Sequence, residues 1–352
     1  MKRLSIASCG RREFLRRAAL LAVAAGLPGC KTHDSVLNFY NWSNYIDPDT
    51  IPTFEHEFGA KVNYDNFSSQ DILTAKMRIG VFGYDLVVAT DYKIAKMCKA
   101  GLIEPLDLSK IPNVKNLYPR FRSGPWDPGN LYSIPWQWGT TGIGYNQKMV
   151  DKADSWDVMW DPRYAGAISM LDEARDAIGV TLMSLGLDGN SLRPDDLREA
   201  QRKLIAQRPL LKHYTSDTYI DELCSNDLAL AQGWSGDVNQ ARSENGDIGY
   251  SIPQEGSFIW VDNLCIPKGA PHPELAHEFM NFVLRPDIGA NISKFVQYAS
   301  PNQAAEPYLK DLLADPTIYP PAELMRDKLV FYANLGADED KWQEVWRQVK
   351  IG

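Results

Sequence analysis

After residue 35, short apolar runs alternate with amphipathic stretches, and this alternation limits the chain to a small set of folds. Residues 36–40 (VLNFY) and 84–89 (YDLVVA) have the composition of buried strands. Between them, Asp47-Pro48 predicts a helix start, because proline suits the first helical position, and Gly59 predicts the helix end. Buried strands separated by amphipathic helices indicate a parallel sheet covered by helices on both faces. The sequence therefore predicts an α/β protein.

Two extended stretches suggest that the chain forms two lobes. Residues 132–145 and 258–266 are predicted to be extended, and no Gly/Ser-rich linker accompanies them. Crossovers of this kind suit two lobes that are hinged over a ligand cleft. The predicted bounds are residues 36–138 and 263–302 for the N-lobe, and residues 139–262 and 303–352 for the C-lobe.

The distribution of charge favours a cationic partner. The 352 residues carry 37 basic and 45 acidic side chains, which gives a formal net charge of −8. The first 29 residues hold six basic side chains against one glutamate, so the rest of the chain carries −13. A body of this charge repels phosphate backbones, which argues against nucleic acid as a partner.

The amino terminus resembles an export and lipidation signal. Residues 11–15 (RREFL) are similar to a twin-arginine motif, and the apolar stretch 18–29 is too short to span a bilayer. This stretch ends in Leu-Pro-Gly before Cys30, which resembles a bacterial lipobox. We therefore predict a signal peptide over residues 1–29, lipidation at Cys30 and a tether over residues 30–35. The protein is then expected in the periplasm, anchored to a membrane by lipid; a cleaved signal with a coincidental cysteine is the alternative.

The cysteine, serine and histidine patterns do not indicate an enzyme. Beyond the predicted signal peptide, and with the lipidated cysteine set aside, Cys98, Cys224 and Cys265 remain, and their odd number favours buried free thiols. Residues 233–237 (GWSGD) begin like a nucleophile elbow, but Asp237 replaces the final glycine. The five histidines include no i, i+4 pair and no HExxH motif, so we expect no zinc enzyme and no metal site.

Aromatic residues stand beside acids or polar side chains where strands are predicted to end. These groups are Trp42-Ser43-Asn44-Tyr45, Thr90 with Tyr92, Glu173 with Asp176, Trp234 with Asp237, and Trp260 with Asp262. Open α/β sheets place ligand sites at the carboxyl ends of their strands. Ring faces attract cations, and carboxylates accept charge-assisted hydrogen bonds from ammonium groups. An alkyl chain with an amine at each end would use both features, although tryptophan beside carboxylates also suits a sugar.

Eight sequence blocks follow one another in the order typical of one known family. They are residues 38–46 (NFYNWSNYI), 84–92 (YDLVVATDY), 132–144 (YSIPWQWGTTGIG), 172–176 (DEARD), 252–256 (IPQEG), 260–262 (WVD), 281–286 (NFVLRP) and 298–302 (YASPN). Together they resemble the bacterial spermidine/putrescine-binding proteins, the extracytoplasmic receptors of polyamine ABC importers. The resemblance implies a two-lobed, type II-like periplasmic-binding-protein fold that closes on one polyamine and presents it to ABC transporter permease subunits. It also implies a monomer that is not an enzyme and needs no cofactor.

The same resemblance assigns ligand contacts to particular residues. The implied ligand-binding residues are Trp42, Ser43, Asn44, Tyr45, Thr90, Tyr92, Glu173, Asp176, Trp234, Asp237, Trp260, Asp262 and Tyr298. Asp237 is similar to an acid of the putrescine-preferring branch, whereas Trp260 is more similar to the spermidine branch, so both ligands stay open. Asn44 stands where the family often has an acid.

Other functions on the same scaffold also stay open at this point. The fold could serve a receptor for a different cation, an opine or a sugar, because fold alone does not fix the ligand. The enzymatic alternative is a glycosidase that uses Glu173 and Asp176 as its pair of carboxylates.

Overall fold

The computed structural model describes residues 35–79 and 83–351. The strands are β1 (Val36–Trp42), β2 (Lys61–Phe67), β3 (Leu86–Thr90), β4 (Ile134–Asn146), β5 (Ile168–Met170), β6 (Leu211–Tyr214), β7 (Leu230–Trp234), β8 (Ile248–Ser251), β9 (Ser257–Cys265) and β10 (Leu329–Phe331). The helices are α1 (Thr50–Phe58), α2 (Gln70–Arg78), α3 (Asp91–Lys99), α4 (Ala174–Ser184), α5 (Pro194–Gln207), α6 (Tyr219–Cys224), α7 (Ser235–Glu244), α8 (Pro273–Val283), α9 (Pro286–Val296), α10 (Lys310–Leu313), α11 (Ala322–Lys328) and α12 (Glu339–Ile351).

The sheet consists of two parallel halves joined by an antiparallel centre. Its strand order is β2-β1-β3-β9-β4-β7-β5-β6, with β10 beside β9 and β8 beside β4. The first half-sheet (β2, β1, β3) and the second half-sheet (β7, β5, β6) are each parallel. The central strands β9 and β4 are antiparallel to each other and to their outer neighbours β3 and β7. The prediction of a parallel sheet is therefore wrong for the centre, because an apolar run does not record the direction of its strand.

Strands β4 and β9 are the two extended stretches that the sequence predicts. In β4, Ile134 pairs with Leu264 of β9, whereas Thr141 pairs with Trp234 of β7. Strand β9 pairs with β3 of the first half-sheet and β4 pairs with β7 of the second, so the two central strands together join the half-sheets. The fold has two lobes built on those halves. The residue bounds of the lobes stay a prediction.

Local sequence signals explain the helix bounds next to the sheet. Helix α1 begins at Thr50 rather than at Pro48, because the Thr50 amide donates to the Asp47 carbonyl oxygen (3.0 Å) and closes a turn before the helix. Gly59 ends α1 in a left-handed conformation (φ 63°), as predicted. Ser69 caps α2 by accepting a hydrogen bond from the Ile72 amide. Every position of β3 and β9 is buried, because helices cover both faces of the sheet.

The three cysteines of the described part of the chain are free thiols. Cys265 is buried at the end of β9, but Cys98 and Cys224 are only half-buried. The prediction of buried thiols is therefore wrong for these two, which lie near the ends of α3 and α6 where the helices border solvent. Cys30 and the predicted signal peptide lie outside the described residues. Within residues 35–79 and 83–351, no helix combines the length and apolar character needed to cross a bilayer.

Candidate functional site

A cleft of about 570 Å³, a volume that includes solvent at its open side, is lined by residues of both half-sheets. The lining comes from the ends of β1, β3 and β7, from the middle of β9, from the starts of α2, α3, α4, α6 and α7, and from residues that follow α9 and β10. In parallel strand–helix units, the carboxyl end of a strand and the start of the next helix lie at the same edge of the sheet. The cleft is therefore where each half-sheet places its functional side chains.

The predicted site residues converge in this cleft, with one exception. Those that line it are Trp42, Ser43, Tyr45, Thr90, Tyr92, Glu173, Asp176, Trp234, Asp237, Trp260, Asp262 and Tyr298. Asn44 lies outside the lining, because it is exposed in the turn after β1 with a left-handed backbone (φ 51°). Asparagine tolerates that conformation better than most residues, so the turn itself accounts for its presence.

Aromatic rings from both half-sheets meet in the cleft. Trp42 contacts Trp234 edge to face, with 5.4 Å between ring centroids. Trp260 lies 6.4 Å from Trp234 and 5.3 Å from Tyr298, and Tyr45 lies 5.2 Å from Tyr298. Edge-to-face packing leaves part of each ring face free to contact an alkyl chain or a cation. The contact between Trp42 and Trp234 also means that the two sides of the cleft touch.

Asp262 reaches the cleft from β9. Its Oδ1 atom accepts a 2.6 Å hydrogen bond from the hydroxyl of Thr90, which lies opposite it at the end of β3. Burial raises the pKa of Asp262 to about 7, although the Thr90 hydrogen bond acts in the opposite direction. The carboxyl is thus close to its titration point at neutral pH and would gain its charge when a cation approaches.

Asp237 reaches the cleft from the first turn of α7. Its two oxygens accept 2.7 Å hydrogen bonds from the hydroxyls of Tyr219 and Tyr298. Burial raises the pKa of Asp237 to about 6, while the two tyrosine hydroxyls lower it. The start of a helix also favours negative charge, because the peptide dipoles direct their positive ends toward it.

Asp176 lies in the first turn of α4 and is held by three donors. Its Oδ1 atom accepts hydrogen bonds from the Thr141 hydroxyl (2.8 Å), the Trp234 indole nitrogen (3.2 Å) and the Tyr332 hydroxyl (2.6 Å). Burial raises the pKa of this carboxyl above its ordinary value. The donors fix its orientation but bring no positive charge.

Glu173 precedes α4 and contacts the opposite half-sheet directly. Its Oε1 atom accepts a 3.1 Å hydrogen bond from the backbone amide of Gln70, the first residue of α2. Burial raises the pKa of Glu173 well above its ordinary value, and the nearby carboxylates of Asp71 and Asp176 raise it further. Glu173 is therefore both a cleft acid and a bridge between the two sides.

The electrostatic character of the cleft follows from these four acids. Glu173, Asp176, Asp237 and Asp262 are each no more than 9% exposed. Among the described residues that line the cleft, none is lysine, arginine or histidine. A buried carboxylate without a counter-charge is unfavourable, so these groups hold protons more tightly than they would in water. The cleft is suited to a ligand that brings positive charge with it.

Sequence reasoning missed some of the cleft residues, namely Gln70, Ser216, Asp217, Ile220 and Tyr332. Tyr332 directly follows β10, and the available signal was an aromatic ring at the end of the apolar run LVFY. The other four carry no recognisable pattern, because their places depend on how the two half-sheets face each other.

Known proteins resemble this chain along most of its length. Residues 50–320 match the family described as "Bacterial extracellular solute-binding protein". The chain is 37% identical, over an alignment of 360 residues, to the putrescine-binding periplasmic protein PotF of Escherichia coli (strain K12), covering 95% of this chain and 96% of that protein. It is 34% identical over 336 residues to the spermidine/putrescine-binding periplasmic protein of the same organism, covering 94% and 96%. A solved structure of a putative spermidine/putrescine ABC transporter from Listeria monocytogenes superposes with a TM-score of 0.87 at 37% identity, covering 90% of this chain and 99% of that one.

Proposed function

Because the chain belongs to the family of bacterial extracellular solute-binding proteins, we propose that it captures a polyamine in its cleft and delivers it to an ABC transporter. The ligand belongs to the putrescine or spermidine class. The main support for this proposal is that four buried carboxyls and several aromatic rings line the same cleft. The protein acts as a monomer, without a cofactor, and releases its ligand unchanged.

The aromatic series encloses the alkyl chain, and the carboxyls hold the amines. Trp42, Trp234 and Trp260 supply apolar contact area and ring faces that attract ammonium groups. Asp262 comes from β9 and Asp237 from α7, so the acids stand on separate elements and can bind amines that are separated along the ligand. Each ammonium–carboxylate contact is a charge-assisted hydrogen bond, which is about twice as strong as a neutral one.

Positive charge distinguishes a polyamine from the other candidate ligands. A neutral sugar could form hydrogen bonds in the cleft but would bring no cation to the buried carboxyls of Asp237 and Asp262, whereas Glu173 and Asp176 have Lys93 and Arg175 nearby. A polyamine brings one cation for each of several acids, and its methylene segments match the apolar rings. This difference makes a sugar the weaker candidate.

Closure of the two lobes completes the proposed mechanism. We place the N-lobe at residues 36–138 and 263–302 and the C-lobe at residues 139–262 and 303–352, with the hinge in β4 and β9. A ligand that contacts both lobes shifts the open–closed equilibrium only by the amount that it prefers the closed form. The closed form is then the one that the permease subunits recognise.

Export and anchoring belong to the same proposal. Residues 1–29 would direct the folded protein through a twin-arginine route to the periplasm, and lipid on Cys30 would hold it at a membrane through the tether of residues 30–35. Replacement of Cys30 by serine should move the protein from the membrane to the soluble fraction. An unchanged membrane fraction would refute the lipid anchor.

A panel of ligands tests the proposed function. The purified protein is heated with putrescine, cadaverine, spermidine, spermine, agmatine, two sugars or thiamine, and 1,4-butanediol serves as the matched chain without amines. A ligand at a hundred times its dissociation constant should add about 2.7 kcal/mol to the free energy of unfolding, which raises the melting temperature by a few degrees. Stabilisation by one or two polyamines, recovered unchanged, is the expected result. The proposal would be refuted if no amine raised the melting temperature, if a sugar raised it instead, or if the ligand were recovered as a cleaved product.

A further inference from the structure

A buried ion-pair cluster joins the two half-sheets beside the cleft, where Lys93 Nζ lies 5.2 Å from the ring centroid of the cleft residue Tyr92. Glu339, the first residue of α12, is 4% exposed. Its Oε1 atom accepts a 2.7 Å hydrogen bond from Lys93 Nζ, and its Oε2 atom accepts one of the same length from Lys96 Nζ. Lys93 also lies 3.0 Å from an Asp71 carboxylate oxygen. Neither lysine nor Glu339 lines the cleft.

Glu339 moves with the second half-sheet. Helix α12 packs against α4 and α5, which follow β5 in the chain. Trp342 is fully buried, and its indole nitrogen donates to the Ser191 carbonyl oxygen (3.2 Å). The ring of Trp346 contacts Tyr214 of β6 edge to face at 4.9 Å. These contacts fix α12 to the second half-sheet.

The two lysines move with the first half-sheet. Both lie on α3, which starts directly after β3 and buries Ile94 and Met97. The pairs between Glu339 and the lysines therefore connect elements of opposite halves. They are present in the arrangement in which Trp42 also contacts Trp234 across the cleft.

We propose that Glu339, Lys93 and Lys96 form an inter-lobe clasp that stabilises the closed arrangement and thereby sets how long a ligand stays bound. This inference rests on the proposed function, because the clasp is proposed to control how fast the captured ligand is released. Lobe opening would break two charge-assisted hydrogen bonds. The Lys93–Glu339 bond is the better shielded from water, because these two side chains are only 4% and 5% exposed, whereas Lys96 is 26% exposed. A contact made only in the closed form increases the apparent affinity without touching the ligand.

The charges of the clasp are maintained inside the protein. Burial alone would lower the pKa of Lys93, but the carboxylates of Asp71 and Glu339 reverse this and raise it. Burial would likewise raise the pKa of Glu339, but the two lysines lower it. Both partners are therefore ionised at neutral pH.

A pair of variants on the same helix tests the clasp. Glu339→Gln keeps the shape of the side chain but removes its charge. Lys350→Met is the matched control, because Lys350 pairs with Asp172 (2.7 Å) entirely within the second half of the molecule. We expect Glu339→Gln to speed dissociation of the amine that the panel identifies about tenfold, measured by stopped-flow tryptophan fluorescence. We also expect it to open the ligand-free protein, measured as a larger radius of gyration in X-ray scattering. Lys350→Met should change neither quantity.

A second variant, together with scattering from the ligand-free protein, tests the clasp even if Glu339→Gln does not fold or no amine binds. Lys96→Met removes one of the two pairs at a side chain that is 26% exposed, so it should give a smaller change of the same sign even where Glu339→Gln does not fold. Unchanged dissociation and scattering in a folded clasp variant would overturn the inference, as would a lowered melting temperature alone. If the wild type binds no amine, the proposed function fails, and an unchanged radius of gyration in the ligand-free variants then overturns the clasp separately.

Discussion

At the scale of single residues, the cleft acids are oriented by groups that bring no charge. The Thr90 hydroxyl holds Asp262, and two tyrosine hydroxyls hold Asp237. A lysine or arginine in the same place would orient the carboxyl equally well but would also neutralise it. Because the donors are neutral, the carboxyls keep their preference for a cation, and the ligand must supply that cation.

Asp262→Asn should weaken the binding of the identified amine by about 1.5–3 kcal/mol, the usual worth of a hydrogen bond to a charged group. The asparagine oxygen can still accept from the Thr90 hydroxyl, so the fold should be retained. Isothermal titration measures the affinity. Asp217→Asn is the control, because Asp217 also lines the cleft but is exposed, and there we expect a loss of about 1 kcal/mol or less. Equal affinity of wild type and Asp262→Asn would remove Asp262 from the site.

At the scale of elements, the sequence predicts which segments exist better than how they pair. The apolar runs of β4 and β9 indicate extended strands, and both strands are present. The antiparallel pairing of β9 with β3 places Asp262 opposite Thr90, and its antiparallel pairing with β4 places Trp260 opposite Gly139. No local pattern encodes these pairings, because they depend on strands far apart in the chain.

The same distinction explains the successes and gaps of site prediction. Trp234 and Asp237 were predictable, since a ring beside an acid at a strand end is a local signal. Gln70 joins the site through contacts far along the chain: its side chain accepts from the Thr90 amide, and its backbone amide donates to Glu173 of the opposite half-sheet. Residues that become functional through packing between the halves leave no mark in the sequence around them.

Helix α7 is positioned by a glycine that packs against a cleft ring. A Cβ atom at Gly236 would lie 2.3 Å from Cδ2 of Tyr298, so Gly236→Ala must displace this ring and its hydrogen bond to Asp237. We expect a loss of about 1–3 kcal/mol in the free energy of unfolding, measured by chemical denaturation, together with weaker amine binding. Gly246→Ala is the control, because nothing lies within 4 Å of its Cβ position. Equal stability of the two variants would contradict this account.

At the scale of the whole molecule, closure and protonation are coupled. The two halves meet at Trp42 and Trp234 and at Gln70 and Glu173, which brings four acids into one poorly hydrated space. In the ligand-free fold, the pKa values of Asp237 and Asp262 are about 6 and about 7, above the ordinary value of 3.8. Between the ordinary pKa of 3.8 and these raised values, the two carboxyls bind more protons in the folded chain than in the unfolded chain. The contribution of these two groups to the free energy of unfolding therefore falls as the pH rises from about 4 to about 7.

Amine binding should show the opposite dependence on pH. Alkyl amines resemble lysine and stay protonated to about pH 10, so over this range the titrating groups are the carboxyls. The ligand must displace their protons, and its affinity should increase from about pH 5 to about pH 8 in titrations at constant ionic strength. Asp262→Asn is the matched control: burial raises the pKa of Asp262 to about 7, so this variant should show a smaller increase than the wild type. The remaining increase belongs to Asp237, whose pKa burial raises to about 6, and to Glu173, whose pKa burial also raises. An affinity that is equal at both ends of the range would mean that the acids are already ionised without ligand, and that burial costs them less than their surroundings indicate.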